Sequence, residues 1–125
     1  MHLIFYDHTV EIQLEQTEKL WAFHLSGRII VPLKCIQSVT PERPNTTWKE
    51  LRSPGTYLPS IIKAGTYYTK RGREFWYVQG DSPCLCIDIS EGYYKRIVLG
   101  SEAAERWHSQ IQTRLSNPIQ AALPN

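Results

Sequence analysis

The feature that most constrains the fold is the stretch between Arg52 and Val78, where turn residues separate short aromatic and β-branched runs. Each run is only a few residues long, and each reversal carries a residue that favours a turn. This pattern predicts an antiparallel meander of short strands. The turn residues are Pro54, Gly55, Pro59, Gly65 and Gly72.

Composition is consistent with this prediction. The 125 residues suit one domain with one core. Seven Tyr, four Trp and three Phe favour β structure, because aromatic side chains fit a pleated, half-buried surface. Fourteen basic against twelve acidic side chains give a net charge of +2, an excess too small to indicate nucleic-acid binding.

The cellular compartment is predicted from three features: apolar segments, the N-terminal pattern and the cysteines. No window approaches the roughly 20 apolar residues that span a bilayer, and the N-terminus does not have the pattern of a signal peptide. The three cysteines are Cys35, Cys84 and Cys86, and an odd count without framework spacing argues against a secreted disulfide scaffold. We therefore expect reduced thiols and a cytoplasmic protein.

Before the meander, the spacing of the apolar residues changes twice, from a strand pattern to a helix pattern and back. Val10, Ile12 and Leu14 alternate with polar residues, which predicts a strand with one buried face that pairs with residues 2–6 as a hairpin. Residues 16–24 then have the features of a short helix that ends near Gly27. A second β-rich run covers residues 28–33, and Pro32 within it indicates a sheet edge or a bulge.

The residues after the meander predict two more strands and a helix. Residues 84–89 and 93–99 are the strands, with turns at 80–83 and 90–92. A helix is expected from Ser101, and its apolar stripe recurs at three- and four-residue intervals. Pro118 stops this helix and residues 118–125 form a tail. The stripe consists of Ala104, Trp107, Ile111 and Leu115.

These elements predict a mainly β single domain over residues 1–117. About seven strands, a short early helix and a C-terminal helix would bury most apolar surface as a partly open antiparallel β-barrel. The terminal helix would then plug one end of the barrel, with the indole of Trp107 pointing inward.

The sequence resembles the bacterial pleckstrin-homology-like domains in their small, single-domain form. The likeness extends from about Val10 to Leu115 and depends on several short segments in the same order. They are Glu18-Lys19-Leu20, Ile30-Val31-Pro32-Leu33 with Ile36 and Val39, Arg52 with Pro54-Gly55-Thr56-Tyr57-Leu58-Pro59, Gly65-Thr66-Tyr67, Gly72-Arg73-Glu74-Phe75-Trp76, Tyr94 with Arg96-Ile97-Val98-Leu99, and the terminal helix.

This resemblance implies a curved barrel of two sheets closed by the C-terminal helix, without catalytic residues and without a cofactor. Eukaryotic relatives that bind phosphoinositides use a basic loop between the first two strands. The matching loop here is Asp7-His8-Thr9, which carries no Lys or Arg. That difference argues against inositol-lipid binding at this loop.

The cysteines and histidines invite a metal or redox interpretation. Cys84 and Cys86 would face the same side of a strand, and Cys35 with one histidine could complete four ligands. We favour two small buried thiols instead, since free cysteine is among the most buried residue types. The histidines lack paired spacing, and no sequence motif of a nucleophile or phosphate loop occurs. We therefore expect neither a metal nor an enzymatic activity.

Four basic residues surround the turn at Gly72, namely Lys63, Lys70, Arg71 and Arg73. Aromatic residues lie beside them in the sequence, and such a combination could hold phosphate groups or an acidic protein surface. The alternative, which we favour, is a hairpin tip that its charges keep soluble. These four residues are nevertheless the candidate ligand- or partner-binding residues of the chain.

The sequence thus favours a non-catalytic binding or scaffold domain that interacts with a protein partner or with itself. An exposed strand edge could recruit a peptide or a second copy by strand addition. The alternative is a peripheral binder of anionic lipid head groups or phospholigands at the basic turn around Gly72. A small hydrolase or metal protein is the least favoured class, and neither nucleic acid nor a small-molecule substrate is expected.

Overall fold

Alternating side chains near the N-terminus build a three-stranded antiparallel sheet. The computed structural model of the chain describes residues 1–22, 26–44, 51–58 and 62–116. The strands β1 (His2–Phe5), β2 (Thr9–Gln13) and β3 (Arg28–Pro32) lie in the order β1-β2-β3. The predicted N-terminal hairpin is confirmed, as is the edge position of Pro32.

The remaining six strands form a second sheet in the order β4-β8-β9-β7-β6-β5. Neighbouring strands run antiparallel except β7 and β9, which are parallel. A single 3-10 turn, Leu33–Cys35, joins the two sheets along the chain. The strands are β4 (Ile36–Thr40), β5 (Leu51–Leu58), β6 (Ile62–Thr69), β7 (Gly72–Gln79), β8 (Cys84–Ile89) and β9 (Arg96–Gly100).

Two helices accompany the sheets, as predicted. Helix α1 (Gln16–Ala22) begins where the Glu18 carboxylate accepts a hydrogen bond of 2.8 Å from the backbone N–H of Glu15. Helix α2 (Ala104–Leu115) begins three residues after Ser101, whose hydroxyl accepts a bond from the backbone N–H of Ala103. Neither helix is long and apolar enough to cross a membrane, a finding restricted to the described ranges.

The inner faces of both sheets and one face of α2 meet in a single apolar core. The indole of Trp107 is 4% exposed, so the predicted inward orientation of this side chain is confirmed. Helix α2 lies against β8 and β4. Core residues include Val10, Ile12 and Val31 from the small sheet, Phe75, Leu85 and Ile97 from the large sheet, and Trp107 and Ile111 from α2.

The predicted antiparallel barrel of about seven strands is not confirmed. Nine strands lie within the described ranges, and no pairing between described strands joins the two sheets. Strand β9 also lies between β7 and β8, although β7 and β8 are consecutive in the chain. Ile97, Val98 and Leu99 are all fully buried, because a central strand is covered on both faces. The predicted helix stop at Pro118 and the predicted tail fall within residues 117–125, which lie outside the described ranges.

Candidate functional site

The predicted basic residues surround a tight hairpin between β6 and β7. Thr69 pairs with Gly72, so Lys70 and Arg71 occupy the two central positions of the turn. Gly72 has a φ of 123°, and an added Cβ would lie 2.9 Å from Cγ of Lys95. A glycine suits this position because its backbone freely adopts positive φ. The turn that the sequence predicted at Gly72 is therefore confirmed.

Arg71 forms an ion pair with a buried carboxylate, although its own side chain is 49% exposed. Its Nε and Nη2 each lie 2.7 Å from Oε2 of Glu74, whose side chain is fully buried. The Glu74 carboxylate also accepts hydrogen bonds from the Thr69 hydroxyl and from the indole N–H of Trp76. A buried carboxylate requires such partners, so Arg71 has a structural role at this turn.

Lys63 lies on the same face of the sheet but at a distance from the turn. It is opposite Val78, six residues along β6 from Thr69, which corresponds to about 20 Å. Its Nζ lies 3.8 Å from the ring centroid of Trp76 and 4.4 Å from that of Tyr67. Lys63 is buried, and these cation–π contacts hold its charge within the protein.

Arg73 lies on the opposite face of the sheet, between two exposed tyrosines. It is directly opposite Tyr68 in the ladder, and its Cζ lies 4.2 Å from the ring of Tyr93. Tyr93 is 62% exposed and Tyr68 is 39% exposed. We call Tyr68, Arg73 and Tyr93 the arginine–tyrosine patch. Tyr68 is one of the aromatic residues that the sequence placed beside the basic residues, and pairing outward from the turn sets it opposite Arg73. Tyr93 was not predicted, because it is distant from the turn in the sequence.

The structure therefore divides the four predicted residues among three environments. Successive residues of a strand point to opposite faces, which separates Arg73 from Glu74 and from the arginine that pairs with it. Lys70 is exposed at the tip of the turn. Proximity in the sequence predicted one basic cluster. Among its four members, Lys70 and Arg73 are exposed and form no ion pair within the described ranges, whereas Arg71 is paired with Glu74 and Lys63 is buried.

The prediction that Cys84 and Cys86 are two small buried thiols is confirmed. Cys84 and Cys86 are buried in a second apolar cluster with Trp76 and Val98, on the face of the large sheet that points away from the main core. Burial raises the pKa of the Cys86 thiol to about 11, which keeps it neutral and unreactive. No group of three or more potential metal-ligating side chains occurs within the described ranges.

A second candidate site is the free edge of β3. The backbone N–H of Leu14 donates to Gly27 at one end of the β2–β3 ladder, and that of Leu33 donates to His8 at the other. Hydrogen-bonded pairs alternate with non-bonded pairs in an antiparallel ladder. Ile29 and Val31 therefore bond to β2, whereas the backbone groups of Arg28, Ile30 and Pro32 point to the free edge.

This edge is open only at its centre. The N–H and C=O of Arg28 both engage the hydroxyl of Ser26, at 3.4 and 3.3 Å. Pro32 has no N–H to offer. Ile30 lies between them, and its side chain is 56% exposed. No other described strand pairs with this edge, so Ile30 presents both an apolar side chain and an open pair of backbone groups.

A shallow cleft lies between β1 and α2. Phe5, Ser109, Gln110, Thr113 and Arg114 line it, and the Arg114 guanidinium lies 4.6 Å from the Phe5 ring. These five residues include neither a carboxylate nor an imidazole.

The chain matches no protein-family model, no curated protein and no solved structure.

The different roles of Arg71 and Lys70 predict different effects on stability. Arg71→Ala removes the cationic partner of a buried carboxylate, and we expect a loss of about 1–3 kcal/mol in the free energy of unfolding. The neighbouring Lys70→Ala removes an exposed charge, and we expect a change within about 0.5 kcal/mol. Urea denaturation of both variants measures the difference. Equal stability of the two variants would show that Arg71 does not hold Glu74 in place.

Proposed function

We propose that this chain is a non-catalytic, pleckstrin-homology-like interaction domain that adds a β-strand from a protein partner or from a second copy to the edge of β3. The resemblance described above implies two sheets and a terminal helix that covers the core. The mainly β fold and the packing of Trp107 are consistent with that architecture.

The observation that carries this proposal is that Ile30 has an exposed side chain and, among the described residues, unpaired backbone groups at the free edge of β3. Natural proteins protect the edges of their sheets, because unpaired N–H and C=O groups recruit other strands. Here both ends of the β3 edge are protected, by Ser26 and by Pro32, whereas the centre is open and carries an exposed isoleucine. An incoming strand gains main-chain hydrogen bonds and an apolar contact at the same position.

The arrangement of the carboxylates supports the non-catalytic part of the proposal. Three of them lie within 2.8 Å of an arginine nitrogen: Glu11 pairs with Arg28, Glu74 with Arg71, and Asp88 with Arg96. The hydrogen bond from Arg28 holds the pKa of Glu11 below its usual range. A general acid at neutral pH needs the opposite shift, so this carboxylate is suited to ion pairing.

Strand addition predicts self-association that depends on Ile30. Light scattering on the purified protein at increasing concentration should show a rise in average mass. Ile30→Lys should abolish that rise, since a lysine on an edge strand disfavours pairing. The matched control is Tyr6→Lys, which replaces an exposed aromatic side chain in the turn between β1 and β2 and should leave the rise unchanged. Equal association of the wild type and Ile30→Lys would refute a role for this edge.

The arginine–tyrosine patch favours a second candidate function. Arg73 and Lys70 are exposed near each other, and two exposed tyrosines flank the arginine. A guanidinium binds phosphate oxygens well, and tyrosines suit the boundary between water and lipid head groups. This patch could bind anionic lipid head groups or phospholigands. Among the four residues predicted for that role, Arg71 and Lys63 instead make the internal contacts described above.

Vesicle binding tests this alternative. The double variant Lys70→Ala/Arg73→Ala should bind vesicles containing anionic phosphatidylserine roughly thirtyfold more weakly than the wild type, at about 1 kcal/mol per basic residue near the surface. The double variant Lys34→Ala/Arg106→Ala removes two exposed basic side chains outside the patch and serves as the control for net charge. If the control and the Lys70→Ala/Arg73→Ala variant lose affinity equally, or if the wild type does not bind, the patch has no such function.

A further inference from the structure

We infer that the strand which pairs with β3 is β3 of a second copy of this chain, in an antiparallel register centred on Ile30. This inference depends on the proposed function and specifies the partner. The two strands would be related by a two-fold axis perpendicular to the sheet, so that the same surface serves both copies. The small sheets of two molecules would then form one continuous six-stranded sheet.

The phase of the β2–β3 ladder makes this edge self-complementary. The open backbone groups belong to Ile30, and an antiparallel hydrogen-bonded pair exchanges two N–H···O=C bonds between directly opposite residues. Placing Ile30 opposite Ile30 of the second copy satisfies the N–H and C=O of both residues. No hydrogen bond within either copy has to be broken for this central pair to form.

The flanking positions fit the same register. Arg28 would lie opposite Pro32 of the second copy, where its N–H can donate to the proline carbonyl. The missing N–H of Pro32 does not matter for that bond, and the C=O of Arg28 keeps its contact with the Ser26 hydroxyl. The bond from Arg28 to Ser26 that would be exchanged is long, at 3.4 Å, and therefore weak.

Neighbouring registers are less favourable. Placing Arg28 opposite Ile30 takes the N–H of Arg28 away from the Ser26 hydroxyl, and it brings the two arginines within two residues of each other along the strand direction, about 7 Å. Placing Arg28 opposite Arg28 sets two like charges against each other, which is destabilising. In the register centred on Ile30, the two arginines are four residues apart along the strand direction, about 13 Å. Each one can keep its ion pair with Glu11 of its own copy.

The size of the contact predicts a weak dimer. Four main-chain hydrogen bonds and one pair of isoleucines bury much less than the roughly 1,200 Å² of a stable interface. Protection at both ends of the edge limits the contact further. We therefore expect an association that depends on concentration and becomes measurable as the protein concentration approaches about 1 mM.

Site-directed cross-linking tests the register. In an Ile30→Cys variant the two introduced Cβ atoms would lie about 5 Å apart, within reach of a short bis-maleimide. The half-exposed Cys35 is first replaced by serine, while Cys84 and Cys86 are buried. The matched control is Tyr6→Cys in the same background, because Tyr6 is also exposed and lies in the turn between β1 and β2. We expect covalent dimers of Ile30→Cys with a yield that rises with concentration, and at least tenfold less from the control.

The outcomes separate this inference from the proposed function. Light scattering that shows dimers, combined with no preferential cross-linking of Ile30→Cys, would overturn the register and leave self-association by another surface. A strict monomer at about 1 mM, with neither variant cross-linked, would overturn both the inference and self-association. Circular dichroism of each variant confirms that the substituted protein is folded before it is compared.

Discussion

The antiparallel pairing of β2 with β3 is the constraint on which the rest of this account depends. Val31 and Ile29 must point into the core, opposite Val10 and Ile12. The ladder phase makes these same residues bond to β2 through their backbone groups. Ile30 is consequently directed outward in both respects, with its side chain in solvent and its N–H and C=O at the free edge. A slip of one residue would reverse both assignments and bury Arg28.

Buried carboxylates explain why the basic residues of this chain have such different environments. Glu74 is enclosed in the face of the large sheet and recruits Arg71 from the adjacent turn, while Glu11 recruits Arg28 from the neighbouring strand. Lys63 is held over two aromatic rings. Two of the four basic residues that the sequence offered for ligand binding, Arg71 and Lys63, thus make contacts within the protein. Lys70 and Arg73 are exposed and form no ion pair within the described ranges.

Local sequence patterns predicted the elements and the direction of their side chains better than their arrangement in space. The alternation at Val10 and Ile12 identified a half-buried strand, and the spacing of Trp107 and Ile111 identified the buried face of α2. The parallel pairing of β7 with β9 was missed because short turns were assumed to join neighbouring strands. The continuous apolar run at 97–99 was the available signal, since a strand buried on both faces need not alternate. The prediction of a single basic cluster was wrong because successive residues of a strand point to opposite faces of the sheet, which separates side chains that are close in the sequence.

Amide hydrogen exchange along β3 tests the central claim most directly. In protein dilute enough to be monomeric, the account predicts slow exchange at the N–H groups of Ile29 and Val31, which bond to β2, and fast exchange at Ile30 between them. This alternation depends only on the ladder phase, and it can be measured residue by residue by NMR spectroscopy. Slow exchange at Ile30 together with fast exchange at its two neighbours would contradict the account, because the open backbone pair would then belong to the residues that face the core.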